Sequence, residues 1–182
     1  MVYWLFAKQR MKRIHRRRPT HRLDIEELAK AIHRHYCETE RALGKTAETN
    51  RALRPWEELP EDLREANRAQ AMDIPHKLHL LGYELTTTGG VDPAGVAFSP
   101  AEVEKLAVRE HRRWADERRA QGWTRGAVRD DARKRHPLLV AWEELADEEK
   151  DKDRRAVLNV TRWVKQAGFR LRKLGSDDSI LR

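Results

Sequence analysis

Apolar residues recur at helical spacing in four stretches of the chain. The clearest stripe is Ile25, Leu28, Ala29, Ile32 and Tyr36, and it predicts a helix. Similar spacing over 63–81, 103–114 and 157–167 predicts three more helices. A short segment follows each of the two helix pairs, and Tyr83–Leu85 in the first is predicted to be a strand. The pattern therefore predicts a mainly α protein.

Local signals place the ends of these helices. Three residues are predicted to cap helix N-termini: Asp24, Ser99 and Asp147. Ser99-Pro100-Ala101-Glu102 has the composition of a capping box with proline at the first helical position. Gly82 and Gly168 stand where a left-handed C-terminal residue is expected. Pro75 is predicted to kink the second helix or to split it in two.

The two helix pairs are copies of one plan. A shift of 78 positions aligns 25–36 with 103–114 and brings His33 onto His111. A shift of 86 positions then aligns 56–59 with 142–145 and 82–85 with 168–171. The second copy is therefore 8 residues longer, and the additional residues fall in the loop between its helices.

This duplication predicts the domain organisation. Residues 1–23 form a basic arm, residues 24–86 the first repeat and residues 100–174 the second repeat. A linker rich in threonine and glycine, residues 87–99, joins the repeats, and residues 175–182 form a tail. We expect the two repeats to pack with approximate twofold symmetry.

Several motifs of the second copy resemble the ryanodine receptor repeat, or RyR domain. They are Val103-Glu-x-Leu-Ala107, Glu110-His-x-x-Trp114, Gln121-Gly-Trp-Thr-x-Gly126, Asp130-Asp131, Lys134-Arg-His-Pro-Leu138, Trp142-x-x-Leu145 and Ala167-Gly-Phe169. The first copy departs from the pattern, because Gly44-Lys45 stands where Gly-Trp is expected and its inter-helix loop is short. The resemblance implies two tandem RyR repeats in a prokaryotic protein, each a helix pair with a short β segment, related by a pseudo-twofold axis.

The positive charge is concentrated in the arm. The chain has 38 basic and 30 acidic residues, and residues 1–22 contain eight basic residues and no acidic one. The remaining chain is thus neutral overall, which argues against a basic nucleic-acid surface spread over the fold.

Three interpretations of the arm stay open. Its apolar start, Met1–Ala7, precedes the basic run, an order opposite to that of a secretory signal. The arm is an amphipathic or disordered segment, a membrane-surface anchor that meets anionic lipid, or the end of a longer membrane protein. Attachment to nucleic acid through the arm is a further hypothesis. No window has the roughly 18 apolar residues of a spanning helix.

The sequence predicts no enzyme, no metal site and no cofactor. It contains no phosphate-binding loop, no His-Glu-x-x-His and no Gly-x-Ser-x-Gly. His33 and His111 are expected to hydrogen-bond neighbouring loops, and Asp130 and Asp131 to cap the chain or to pair with arginine. Cys37 is expected to be an ordinary helix residue. Because it is the single cysteine of the sequence, no intramolecular disulfide can form.

Trp123 is the residue whose surroundings point to a ligand. It lies between Gly122 and Gly126 and is followed by a series of basic residues. An indole offers a stacking face for a base, and guanidinium groups offer forked donors to phosphate. The alternative is that Trp123 packs across the helix pair and the basic residues are solvated. The predicted ligand-binding residues are Trp123, Arg125, Arg129, Lys134 and Trp56, the last as a second stacking face.

The resemblance extends this prediction. It implies an adenine nucleotide held between the Gly-Trp tryptophans of paired repeats, of which only Trp123 is present here. Glu104, His111 and Trp114 are assigned to structure. We therefore expect a non-enzymatic cytoplasmic module, membrane-associated if the arm anchors it, that senses a nucleotide or nucleotide-derived, including cyclic, signal and regulates a channel or an antiviral effector. The alternative is a docking module without a small ligand, which predicts an exposed apolar patch and a homo-oligomer.

Overall fold

The elements follow the predicted order of helices. The computed structural model describes residues 24–175, so the arm and nearly all of the predicted tail lie outside the described residues. In chain order the elements are α1 (Ile25–Ala42), α2 (Glu61–Leu80), β1 (Tyr83–Thr86), α3 (Pro100–Ala120), β2 (Thr124–Arg125), β3 (Arg135–His136), α4 (Asp147–Leu158), α5 (Val160–Gln166) and β4 (Arg170–Lys173). The predicted mainly α class is confirmed.

Two of the three predicted N-caps are confirmed. The Asp24 carboxylate accepts the backbone amides of Glu26 and Glu27 at 3.2 and 3.4 Å. Ser99 and Glu102 form the full capping box at the start of α3. The prediction for Asp147 is wrong, because it is the first residue of α4 and makes no side-chain cap bond. A carboxylate in the first turn still interacts favourably with the positive end of the helix.

Helix continuity differs from the prediction in two places. The predicted split at Pro75 is wrong, because α2 runs unbroken from Glu61 to Leu80, whereas the alternative of a kink stays a prediction. Burial explains this, because Ile74 and Leu78 on either side are fully buried and hold the helix against the core. The last long helix is instead interrupted at Asn159, whose side-chain amide donates to the Arg155 carbonyl at 2.7 Å and competes with the helical hydrogen bonds there.

The helices pack as two pairs, α1 with α2 and α3 with α4. We call residues 24–86 the first half and residues 100–174 the second half. Strand β1 of the first half pairs antiparallel with β4 of the second half, and Leu85 lies opposite Leu171. These two leucines are related by the 86-residue shift, so equivalent positions face each other across the strand pair. Val91 bonds the outer edge of Leu171.

One apolar core spans both halves. It combines buried residues of α1 and α2 with residues of α5 and β4, among them Ile32, Ile74, Trp163 and Leu171. A second, smaller cluster lies between α3 and α4 and contains Val103, Leu106, Ala107 and Val157. Because α5 contributes to the first core, removing either half would expose apolar surface of the other.

A buried ion network joins the halves where α2 meets α3. The Lys77 ammonium pairs with the Glu110 carboxylate, and both side chains are almost fully buried. Arg113 donates to the same carboxylate at 2.7 Å. Burial by itself would raise the pKa of Glu110, but the charges of Lys77 and Arg113 outweigh it and hold that pKa at about 2. Glu110 therefore contributes stability above its ordinary pKa of 4.5, and this contribution is lost as the pH falls toward 2.

Lys77→Met should lower the free energy of unfolding by about 3–5 kcal/mol, because it leaves the Glu110 carboxylate buried without its closest cation. The double variant Lys77→Met/Glu110→Leu removes one charge of each sign and should recover most of that loss. Urea denaturation at pH 7 measures both. A single variant as stable as the wild type would contradict a buried ion pair at this interface.

Candidate ligand-binding face

The inter-helix loop of the second half is attached to α3 through one carboxylate. Glu104 accepts the indole N–H of Trp142 at 3.3 Å, and its two oxygens accept Nε and a terminal nitrogen of Arg154 at 2.7 and 3.2 Å. The guanidinium carbon of Arg154 also lies 5.9 Å from the Trp142 ring centroid. The hydrogen bond to Arg154 is the main cause that lowers the pKa of Glu104. Loop, α3 and α4 thus meet at this carboxylate.

The first half contains the same arrangement. Glu26 accepts the Trp56 indole N–H at 3.1 Å and two guanidinium nitrogens of Arg68 at 2.8 and 3.1 Å. Trp56 is therefore a component of the first helix pair, with its ring near His33 and Arg68. The contacts of Trp56 do not bring it together with Trp123.

A histidine seven residues, or about two turns, further along the helix attaches each loop. His111 Nε2 lies 2.9 Å from the Val140 carbonyl oxygen, and His33 Nε2 lies 2.8 Å from the Arg54 carbonyl oxygen. A carbonyl only accepts, so each Nε2 carries the hydrogen and donates it. The expectation that both histidines bond neighbouring loops is confirmed.

The loop of the second half has its own small sheet. Strands β2 and β3 pair in parallel, and the Thr124 amide donates to the Lys134 carbonyl at 2.9 Å. A Cβ at Gly126 would lie 2.7 Å from Arg135 Cβ, so only glycine allows the two segments to approach this closely. Steric crowding by Arg135 thus explains why the last position of the Gly-Trp-x-x-Gly motif is glycine.

Four side chains form what we call the aromatic face: Trp114, Arg118, Trp123 and His136. The His136 ring lies edge-on to both indoles, with centroid distances of 5.0 Å to Trp114 and 6.1 Å to Trp123. The Arg118 guanidinium carbon lies 5.5 Å from the Trp123 ring centroid. Both indoles are half-buried. The face therefore presents aromatic surface beside a fixed guanidinium.

The three basic residues predicted to contact phosphate have partners within the chain. Arg129 donates to Asp131 at 2.7 Å, and Lys134 donates to the Gln121 carbonyl at 2.9 Å. Arg125 lies 3.3 Å from Glu144. These side chains remain largely exposed, so solvent competes with each pairing and the net stabilisation is small. The neighbouring Asp130 pairs with Arg133, as expected for the paired aspartates.

Two residues of the first half influence the charges of this loop. The pKa of Arg129 is raised chiefly by its hydrogen bond to Asp131 and, to a smaller degree, by Tyr36. The pKa of Asp131 is lowered chiefly by Arg129, with a further contribution from Arg51. Tyr36 and Arg51 therefore lie within electrostatic reach of the loop. The Tyr36 hydroxyl accepts from Asn50 at 2.9 Å, and its side chain is 40% exposed.

Metal-binding clusters and membrane-spanning helices are both absent from residues 24–175. No cluster of three or more histidine, cysteine or carboxylate side chains in that range has the arrangement of a metal site. Over the same residues, no helix has the length and apolar character needed to cross a bilayer.

The second half is similar to a known protein family. Residues 99–173 match the family model of the RyR domain. This segment is therefore similar to the RyR domain, and residues 99–173 are called the RyR domain below after the model that they match. The match begins at the Ser99 cap of α3 and ends with β4, so it includes the Glu104 carboxylate, the His111 bond and the aromatic face.

The aromatic face includes three residues outside the predicted ligand-binding set. Trp114 is assigned to structure in the sequence analysis, and Arg118 and His136 are not among the predicted ligand-binding residues. Trp114 and Arg118 are four residues apart on α3, a spacing that places both on one side of the helix. That spacing was available in the sequence. The position of His136 depends on the β2–β3 pairing, for which no local pattern exists.

The two histidines of the RyR domain should titrate in a fixed order. Burial lowers the pKa of His111, but its bonds to Asp153 and Val140 outweigh this and raise it above 6.5. Burial lowers the pKa of His136, and Arg129 adds to the effect. As the pH rises in an NMR titration, we expect His136 to lose its proton at a lower pH than His111.

The stability contribution of the His111 proton follows from the same shift. It is fully present below pH 6.5 and is lost as the pH rises through the raised pKa. His111→Asn should remove this part of the pH dependence. If His111 titrates below His136, its assigned partners are wrong.

Proposed function

We propose that this protein is a non-enzymatic, nucleotide-sensing module built from two RyR repeats, of which the first is degenerate. The repeated contacts support a duplication. Glu26, Trp56 and Arg68 repeat the hydrogen bonds of Glu104, Trp142 and Arg154, with each pair of distances agreeing within 0.2 Å. Contacts, unlike composition, are hard to reproduce by chance in unrelated helix pairs.

The aromatic face is the observation that carries the proposed ligand class. A nucleotide needs a flat apolar surface for its base and forked cationic donors for its phosphate groups. Trp114 and Trp123 supply the surface, and Arg118 lies against the Trp123 ring. Trp56 supplies no second face in this account, because its indole is held by Glu26. Stacking is therefore one-sided or uses Tyr36 of the first half.

Phosphate binding requires that existing ion pairs be exchanged. Arg129 has the exposed carboxylate of Asp131 as its present partner, and Arg125 has Glu144. A doubly charged phosphate group competes well with one exposed carboxylate, since such surface pairs contribute only about 0–1 kcal/mol. Lys134 is tied to a backbone carbonyl of the neighbouring turn and would follow any movement of that turn.

The sensing step follows from the position of this loop. Arg129 and Asp131 lie within electrostatic reach of Tyr36 and Arg51. Exchange of Asp131 for phosphate would free a carboxylate within electrostatic reach of Arg51 and change the electrostatic interaction between the halves. This change is the signal that we propose a channel or effector partner reads.

Adenine nucleotides should raise the melting temperature of the full chain, and Trp123→Ala should remove the increase. At a ligand concentration 100 times Kd, binding adds about 2.7 kcal/mol to stability. Trp123→Phe keeps a ring and should retain part of the effect. Differential scanning fluorimetry with ATP, ADP and cyclic AMP measures this.

Arg162→Ala is the matched control, because Arg162 is an exposed arginine on α5 that pairs with Glu38. It should respond to nucleotide as the wild type does. Equal increases in wild type and Trp123→Ala would contradict the site. No increase with any nucleotide would contradict the ligand class and favour the docking module.

A further inference from the structure

A cavity of the RyR domain lies beside α3, apart from the aromatic face. It has a volume of about 220 Å³ and is enclosed by α3 and the segment 140–143. Val108, Ala115, Val140 and Trp142 contribute apolar lining, and Arg112 and Arg119 lie along the helix side. A concave apolar site with a few charged groups is the usual form of a small-molecule site.

The wall of this cavity is held in place by His111. The donated hydrogen bond from Nε2 fixes the Val140 carbonyl, and Nδ1 lies 3.5 Å from the Asp153 carboxylate. His111 is 4% exposed, so it acts as a support within the wall rather than as a free group. The cavity is therefore preformed, and a ligand would not have to order the loop.

Arg112 is the group that indicates the ligand. Among residues 24–175, its guanidinium makes no hydrogen bond and no ion pair, although many other arginines of the RyR domain do. Arg119 shares the same side of the cavity and pairs with the exposed carboxylate of Asp116 at 3.0 Å. Two exposed guanidinium groups beside the apolar side chains of Val108 and Val140 match an anion with an apolar body.

Glu143 limits the charge of that anion. It lies on the loop side of the cavity and has no hydrogen-bond or ion-pair partner within the described range. A multiply charged phosphate would bring its additional charge toward this carboxylate, whereas a singly charged carboxylate satisfies the arginines alone. The cavity thus differs in charge preference from the aromatic face.

The corresponding positions of the first half carry larger side chains. Under the shifts of 78 and 86, Val108 corresponds to Lys30, Ala115 to Cys37 and Val140 to Arg54, and in each case the larger side chain is in the first half. Arg41, which corresponds to Arg119, donates to the Leu53 carbonyl at 3.3 Å. The smaller residues of the second half open the space.

We propose that this cavity binds a small organic monocarboxylate, whose carboxylate meets Arg112 and Arg119 and whose apolar body contacts Val108 and Val140. The site is separate from the aromatic face and does not depend on nucleotide binding. Trp123→Ala should therefore leave it intact, which separates a failure of this proposal from a failure of the nucleotide proposal.

Benzoate is the probe for this site, measured with the full chain by saturation-transfer NMR and a titration. Arg112→Ala should weaken benzoate binding by about tenfold, the effect of losing one charge-assisted hydrogen bond. Arg112→Lys keeps the positive charge but lacks the forked pair of donors, so its affinity for benzoate should lie between those of the wild type and Arg112→Ala. Val108→Phe fills the cavity and should abolish binding with an unchanged helical circular dichroism spectrum.

Two further arms test charge and location. Wild type should prefer benzoate to the dianion isophthalate, and Glu143→Gln should narrow that preference. Arg162→Ala, an exposed arginine elsewhere on the surface, should bind benzoate as the wild type does. Undiminished binding in Arg112→Ala or Val108→Phe, or no binding by the wild type, would overturn the proposal.

Discussion

The arrangement of the RyR domain depends on how its long inter-helix loop is fastened to α3. Three hydrogen bonds to the Glu104 carboxylate and one from His111 to the Val140 carbonyl do this. A loop of this length has a large conformational entropy, so a few bonds to a rigid helix decide its shape. The aromatic face and the cavity lined by Val108 and Val140 both include residues of α3 and of the fastened loop, so both candidate sites depend on the same support.

The two halves are joined by different physical forces on their two sides. On one side α1 meets α5 through buried apolar residues, including Ile32 and Trp163. On the other side α2 meets α3 through the buried pair Lys77 and Glu110. A buried ion pair adds little net stability over apolar packing, but it strongly disfavours alternatives that leave one charge unpaired. The apolar side therefore supplies most of the association, and the ionic side fixes how the halves are aligned.

The sequence was most informative where a residue acts through its own neighbours in the chain. The helical stripes and the Ser99 capping box were predictable from spacing. The loop bonds of His33 and His111, to carbonyls 21 and 29 positions away, were expected because a histidine beside an apolar stripe often bonds a neighbouring loop. The interruption at Asn159 was not predicted, because Val157 and Val160 continue the helical spacing on both sides of it. The position of the Trp56 side chain was also not predictable, because it depends on a hydrogen bond to Glu26, thirty positions away in the sequence. Neither Arg118 nor His136 was predicted to belong to the site, since their contacts with Trp123 arise from the fold of the loop.

The most direct test of nucleotide binding at the aromatic face follows the six tryptophan indole N–H signals in a two-dimensional ¹⁵N–¹H NMR titration with ATP. Each indole reports on one place, so the measurement locates the ligand as well as detecting it. We expect saturable shifts of the Trp123 and Trp114 indole signals. The signals of Trp56 and Trp142, whose indoles donate to glutamates, should not shift. Shifts confined to Trp142 or Trp56, or no saturable shift at all, would contradict it.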